Sequence, residues 1–190
     1  GSYFQDFEYT SNGGFSGMTL SNDEPFVIGS KIMNNGTSHL PFIGELDEGQ
    51  VWNYVIPEEQ IQSNMNTPLV GDEEGLVGYW NFNDGQGSTL NDLSGNGNNG
   101  TIYGASWGGN GAPVEPIIQQ PSPNYSLSFD GQDDWVDLNT MDDIVLSNMT
   151  YSFWINTDGS NNDNQCVINT RNGQIWIPIN DVSGSSLTLI

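Results

Sequence analysis

The 190 residues carry 24 Asp and Glu against 2 Lys and Arg, a formal charge of −22, although charged residues make up only 14% of the chain. With Lys31 and Arg171 as the whole supply of Lys and Arg, no basic surface can displace counterions from phosphates. That excludes nucleic acid, an anionic membrane surface and a phosphate-gripping enzyme. The single Cys166 and single His39 exclude an internal disulfide, a thiolate zinc site and a multi-histidine metal site.

Strand-like runs dominate from the start. Residues 3–9, 26–30 and 42–55 form a first group. A short helix follows: Pro57 fits the first helical turn, Glu58 and Glu59 favour its positive end, and the helix should end near Asn64. Residues 67–75 (TPLVGDEEG) read as an interdomain linker. Strands are then expected at 76–82, 100–103, 125–130, 134–138, 149–156, 165–169 and 174–179, with a Gly- and Pro-rich surface loop over 108–124. Alternation sets the faces. Tyr125, Leu127 and Phe129 share one side of their strand, and Tyr151, Phe153 and Ile155 share one side of theirs. Asn-Gly and Asp-Gly pairs such as Asn96-Gly97 and Asp130-Gly131 supply the turns. The pattern predicts an all-β antiparallel sandwich with Gly-rich turns. No apolar run is long enough to cross a membrane as a helix, and no basic-then-apolar opening marks a signal peptide.

Several motifs carry a family resemblance. GYWNFNDGQGSTLNDLSGNGNNGTIYGASW (78–107) resembles the opening of LamG-like, concanavalin A-like jelly-roll domains, LSFDGQDDWVDL (127–138) the next hallmark, and MTYSFWINTDG (149–159) the following core strand. PFVIGS (25–30) and FIGELDEGQVWNYVIPEEQI (42–61) resemble the closing strands and terminal helix of the same fold. The closing half therefore precedes the opening half. Residues 1–66 look like the C-terminal half of one jelly roll, 67–75 like a linker, and 76–190 like the N-terminal half of a second. The middle of the fold is missing from both. The halves imply either a piece of a tandem-repeat chain with neighbouring domains, or one permuted sandwich, or halves that complete neighbouring chains by swapping.

The resemblance implies a structural calcium near the first and last strands, with Asp84 and Asp92 from the opening half, Asn96 and Asn98 beside them, and Asp47 from the closing half. The same Asp and Asn residues also serve as turn formers. It further implies a sheet face able to stack sugar rings. Trp52 and Trp80 fall in core strands. Trp154 lies on the face opposite Phe153 and Ile155, which a sandwich can also cover. Trp107, Trp135 and Trp176 lie nearer turns and are the candidate ligand-binding aromatics. Glu45-Leu46-Asp47 invites comparison with glucanases of this fold, but Gly49 or Gln50 stands where a third acid is needed, so no enzyme is expected. The expected function is a non-enzymatic, secreted or cell-surface adhesin segment that engages glycans or other surface components, with structural calcium. The alternative is a carbohydrate-binding module attached to a secreted polysaccharide-degrading enzyme.

Overall fold

The computed structural model describes residues 26–33, 36–65, 67–109, 124–139, 149–157, 165–170, 173–177 and 185–189. The strand expected at 3–9, most of the loop expected at 108–124, and Arg171 lie outside the described residues. The chain is mostly β, with antiparallel sheets and one short helix. In order, the elements are β1 (Phe26–Ile28), β2 (Lys31–Ile32), β3 (Ser38–His39), β4 (Ile43–Trp52), α1 (Glu58–Asn64), β5 (Leu76–Trp80), β6 (Thr89–Leu90) and β7 (Gly100–Tyr103). After these come β8 (Ser106–Gly108), β9 (Ser126–Asp130), β10 (Trp135–Asp137), β11 (Thr150–Asn156), β12 (Gln165–Thr170), β13 (Gly173–Ile177) and β14 (Ser185–Leu189).

The first sheet runs β13-β12-β1-β10-β7-β6. The second runs β14-β11-β4-β9-β8, with β5 also paired to β4. A small β2–β3 ribbon stands apart. One core lies between the sheets. The first contributes Phe26, Ile28, Leu90, Ile102, Val136 and Val167, and the second Leu46, Val51, Trp80, Leu127, Phe129, Tyr151, Phe153 and Ile155. The expected alternation holds: Leu127 and Phe129 point inward from β9, and Tyr151, Phe153 and Ile155 from β11. Phe26 stacks on Tyr151 across the sheets at 5.7 Å between ring centres. Gly29 (φ +86°) lets the chain leave β1 against the Phe129 ring, because a Cβ there would lie 2.2 Å from it.

Strands from before residue 66 and strands from after residue 76 share both sheets. β1 lies between β12 and β10. β4 pairs β11 on one side, and on the other pairs β9 through Ile43–Leu46 and β5 through Gly49–Trp52. The helix begins where Pro57 predicts, and Gln60 and Ile61 donate their N–H groups to the Pro57 carbonyl. Ile61 joins Trp52, Ile56, Leu76 and Tyr79 in a second cluster on the far side of β4 and β5. Residues 67–75 border this cluster: Leu69 packs on it, Glu73 accepts the N–H groups of Val70 and Gly71, and the Gly75 carbonyl accepts Asn53 N–H.

Candidate functional site

The outward side of the second sheet is polar. Its inward positions are Leu46, Val51, Phe153, Ile155, Leu127 and Phe129, so alternation turns Glu45, Asp47, Gln50, Ser126, Ser128, Ser152, Trp154 and Asn156 outward. Register sets these in rows. Glu45 stands opposite Ser128 on β9 and Asn156 on β11, and Asp47 stands opposite Trp154. Asn156 Nδ2 donates to Glu45 Oε2 at 3.1 Å.

The face has two halves. Around Gln50 it is roofed by the α1 side: Trp52 Nε1 and Asn64 Nδ2 both donate to Gln50 Oε1. Around Glu45, Ser128, Trp154 and Asn156 the side chains are half-buried. Trp154 is thus an aromatic ring set in a row of acids and amides, partly open to solvent. Closeness to turns favours Trp107, Trp135 and Trp176 in the sequence, but the alternation with Phe153 carries the outward orientation of Trp154.

Between the two halves β4 bulges. Its register against β11 shifts between Ser152 and Trp154, placing Glu48 and Gly49 opposite Phe153. Glu48 takes φ +49°, a left-handed conformation that is costly without glycine. Gly49 faces inward, where a Cβ would lie 2.7 Å from the Phe153 ring. The bulge sends Glu48 to the same side as Asp47. Here β9 gives way to β5 as the partner of β4, and Asp47 Oδ1 accepts the Glu48 N–H at 2.8 Å. Both carboxylates are buried. Tyr79 donates its hydroxyl hydrogen to Glu48 Oε2 at 2.7 Å. Burial raises the Glu48 pKa to about 7, with the Tyr79 hydrogen bond opposing. Burial and the Glu48 charge push Tyr79 up as well. The three acids Glu45, Asp47 and Glu48 share a face, but only Glu45 is partly open to solvent.

Of the expected calcium ligands, Asp92, Asn96 and Asn98 share one turn, held together by hydrogen bonds. Among the described residues, the one group of three acidic, His or Cys side chains with ligand atoms within 4.8 Å of one another is Asp130, Asp133 and Asp134. Asp92 is occupied in holding its turn. Its Oδ1 accepts Tyr79 N–H and Ser94 N–H, and its Oδ2 accepts Ser94 Oγ–H and Asn98 N–H. Asn96 and Asn98 donate through Nδ2 to the Val77 carbonyl, stitching the turn to β5. Asp84 binds the N–H and amide of Asn91 at the rim of a surface hollow of about 440 Å³ lined by Gln86, Gly87, Ser88 and Thr89. Asp47 lies on the outward face of β4, capping its own backbone. The residue types that make calcium ligands also make turn clamps, and only the positions of their partners distinguish the two.

The Asp130 triad occupies the β9–β10 turn, and an acidic group of this kind can hold a metal ion. Asp134 Oδ2 accepts the Asp130 N–H at 2.6 Å, and Gln132 binds both Asp130 oxygens. Burial raises the Asp134 pKa, and the neighbouring charges of Asp130 and Asp133 add to the rise against the Asp130 N–H bond.

Of the candidate aromatics, Trp107 packs on the main core and donates Nε1–H to the Gly87 carbonyl at 2.9 Å. Trp135 stacks on Tyr103, with ring centres 4.8 Å apart and planes 21° from parallel. Trp176 belongs to β13, the edge strand of the first sheet. Comparison with protein-family models, curated proteins and solved structures found no match.

Proposed function

We propose that this chain is a non-catalytic, concanavalin A-like jelly-roll module of a secreted or cell-surface protein, acting in adhesion by holding glycans on the outward face of its second sheet. The observation that carries the reading is the setting of Trp154: a half-buried indole on the outward face of the sheet, with Asp47 opposite it and Glu45 and Asn156 in the neighbouring row. A sugar ring offers an apolar face to stack on an indole and hydroxyls to donate to a carboxylate, and Trp154 and Glu45 supply both. The sharing of both sheets by residues before 66 and after 76 favours a single permuted sandwich over two unfinished ones. Structural calcium is assigned to the Asp130, Asp133 and Asp134 turn, where three carboxylates meet.

The experiment is a glycan array followed by titration of each hit against Trp154→Ala. The expected result is retention of at least one polysaccharide by the native chain and its loss in the variant, with the melting temperature nearly unchanged. An array without hits, or a variant that binds as the native chain does, overturns the reading.

A further inference from the structure

The outward face of the first sheet carries a different kind of surface. Ile102 and Val136 point into the core, so their strand neighbours Thr101, Tyr103, Trp135 and Asp137 point away from it. Register brings these together: Trp135 stands opposite Tyr103, and Asp137 opposite Thr101. Tyr103 is 43% exposed, among the most open large apolar side chains described, and Trp135 is half-buried beside it. Asp137 follows Trp135 by two residues on the same outward face and is half-buried. It has no ion pair among the described residues and accepts only the Asn139 N–H.

We propose that this patch is a docking site for an arginine side chain of a partner polypeptide. Two nearly parallel rings make a stack that another flat group extends. A ring face attracts cations, and the Asp137 carboxylate on the same face adds a complementary field to a chain of charge −22. Guanidinium meets all of these demands. It is planar, weakly hydrated and permanently charged, and while stacked it keeps in-plane N–H donors for carboxylates. A neutral sugar would use the rings and leave the charge unmatched. An ammonium would use the charge but cannot extend the stack. The site is separate from the glycan face, being on the other sheet, and does not depend on it.

The test uses three peptides, N-acetyl-Gly-Arg-Gly-amide and its lysine and citrulline counterparts, titrated into the chain in EDTA and followed by indole NMR shifts. The arginine peptide should move the Trp135 indole signal. It should bind about tenfold more tightly than the citrulline peptide and about threefold more tightly than the lysine peptide. Asp137→Asn keeps an acceptor for Asn139 N–H and should weaken arginine binding about threefold, and Tyr103→Ser should weaken it further at unchanged fold. Equal affinity for arginine and citrulline, equal affinity for arginine and lysine, or tighter binding of a glucosamine oligomer would each overturn the assignment. So would an arginine-induced shift that persists in the Tyr103→Ser, Asp137→Asn double variant.

Discussion

Tyr79 on β5 donates its hydroxyl hydrogen across 2.7 Å to Glu48 on β4, whose backbone sits at φ +49°. A bulge, a buried acid and a buried phenol thus meet where β4 changes partners. The pairing makes the fold sensitive to pH in an unusual direction.

The sign follows from the two states. Burial holds Glu48 near pKa 7 in the folded chain, against an ordinary 4.5 when exposed. Below pH 4.5 both states keep the proton; between 4.5 and 7 only the folded state does. Rising pH through that window therefore costs stability, on the order of 3 kcal/mol in total, and no further loss follows above it. Glu48→Gln, which keeps an acceptor for Tyr79, should melt higher than the native chain at pH 8 and no higher at pH 4. Parallel melting curves for both proteins from pH 4 to 8 would contradict this account.

Asp47 caps the backbone at the same bulge. Asp47→Asn retains an oxygen for the Glu48 N–H, whereas Asp47→Ala strands a buried donor at a cost of about 1–3 kcal/mol. Urea unfolding should rank the asparagine variant above the alanine variant by that amount. Equal midpoints would mean that the bond at 2.8 Å contributes nothing net.

Calcium separates the two kinds of acidic turn. At roughly ten times its dissociation constant, calcium at the Asp130 triad should stabilise the fold by about 1.4 kcal/mol. The gain should disappear in Asp133→Asn. It should persist in Asp92→Asn, whose carboxylate serves Tyr79, Ser94 and Asn98. That variant should instead start from a lower melting temperature in EDTA. A calcium increment lost in Asp92→Asn and kept in Asp133→Asn would move the ion to the other turn.

Trp107 and Trp154 should differ in the size of their effect on truncation. Trp107→Ala removes a ring packed on the core and an N–H bond to Gly87, and should cost about 2–4 kcal/mol. Trp154→Ala removes a half-exposed ring and should cost about 1 kcal/mol or less. Denaturant midpoints measured side by side check the ranking.

Much of the fold was legible in the chain. The period-two pattern of residues 126–130 and 150–156 placed Leu127, Phe129, Phe153 and Ile155 inward, because a half-buried strand must alternate. Pro57 with Glu58 and Glu59 located the helix. The bulge was not legible. A glutamate in the left-handed region leaves no local signature, and only the pairing with Phe153 reveals it. Trp107 lies close to a turn and is partly buried, and its N–H partner lies 20 residues back at Gly87, a contact made by tertiary packing. Asp92, Asn96 and Asn98 have the composition of a cation loop, and the bonds from Asn96 and Asn98 to the Val77 carbonyl of β5 depend on tertiary placement that local sequence does not specify.

The placement of β1 and β4 also bears on how the chain reaches this fold. Each is flanked on both sides, yet every one of those flanking strands comes later in the sequence, from residue 76 onward. A ribosome releasing the chain from its N-terminal end produces the centre of each sheet first and the borders afterward. β5 can pair part of one edge of β4 early, but until β9 to β12 emerge the other edge of β4 and both edges of β1 stay unpaired. Those later pairings must close loops of roughly a hundred residues, which slows folding and lengthens exposure to aggregation. The same topology makes the chain a natural candidate for splitting within 67–75: two separately produced pieces should regain β structure only on mixing, each supplying strands that the other lacks.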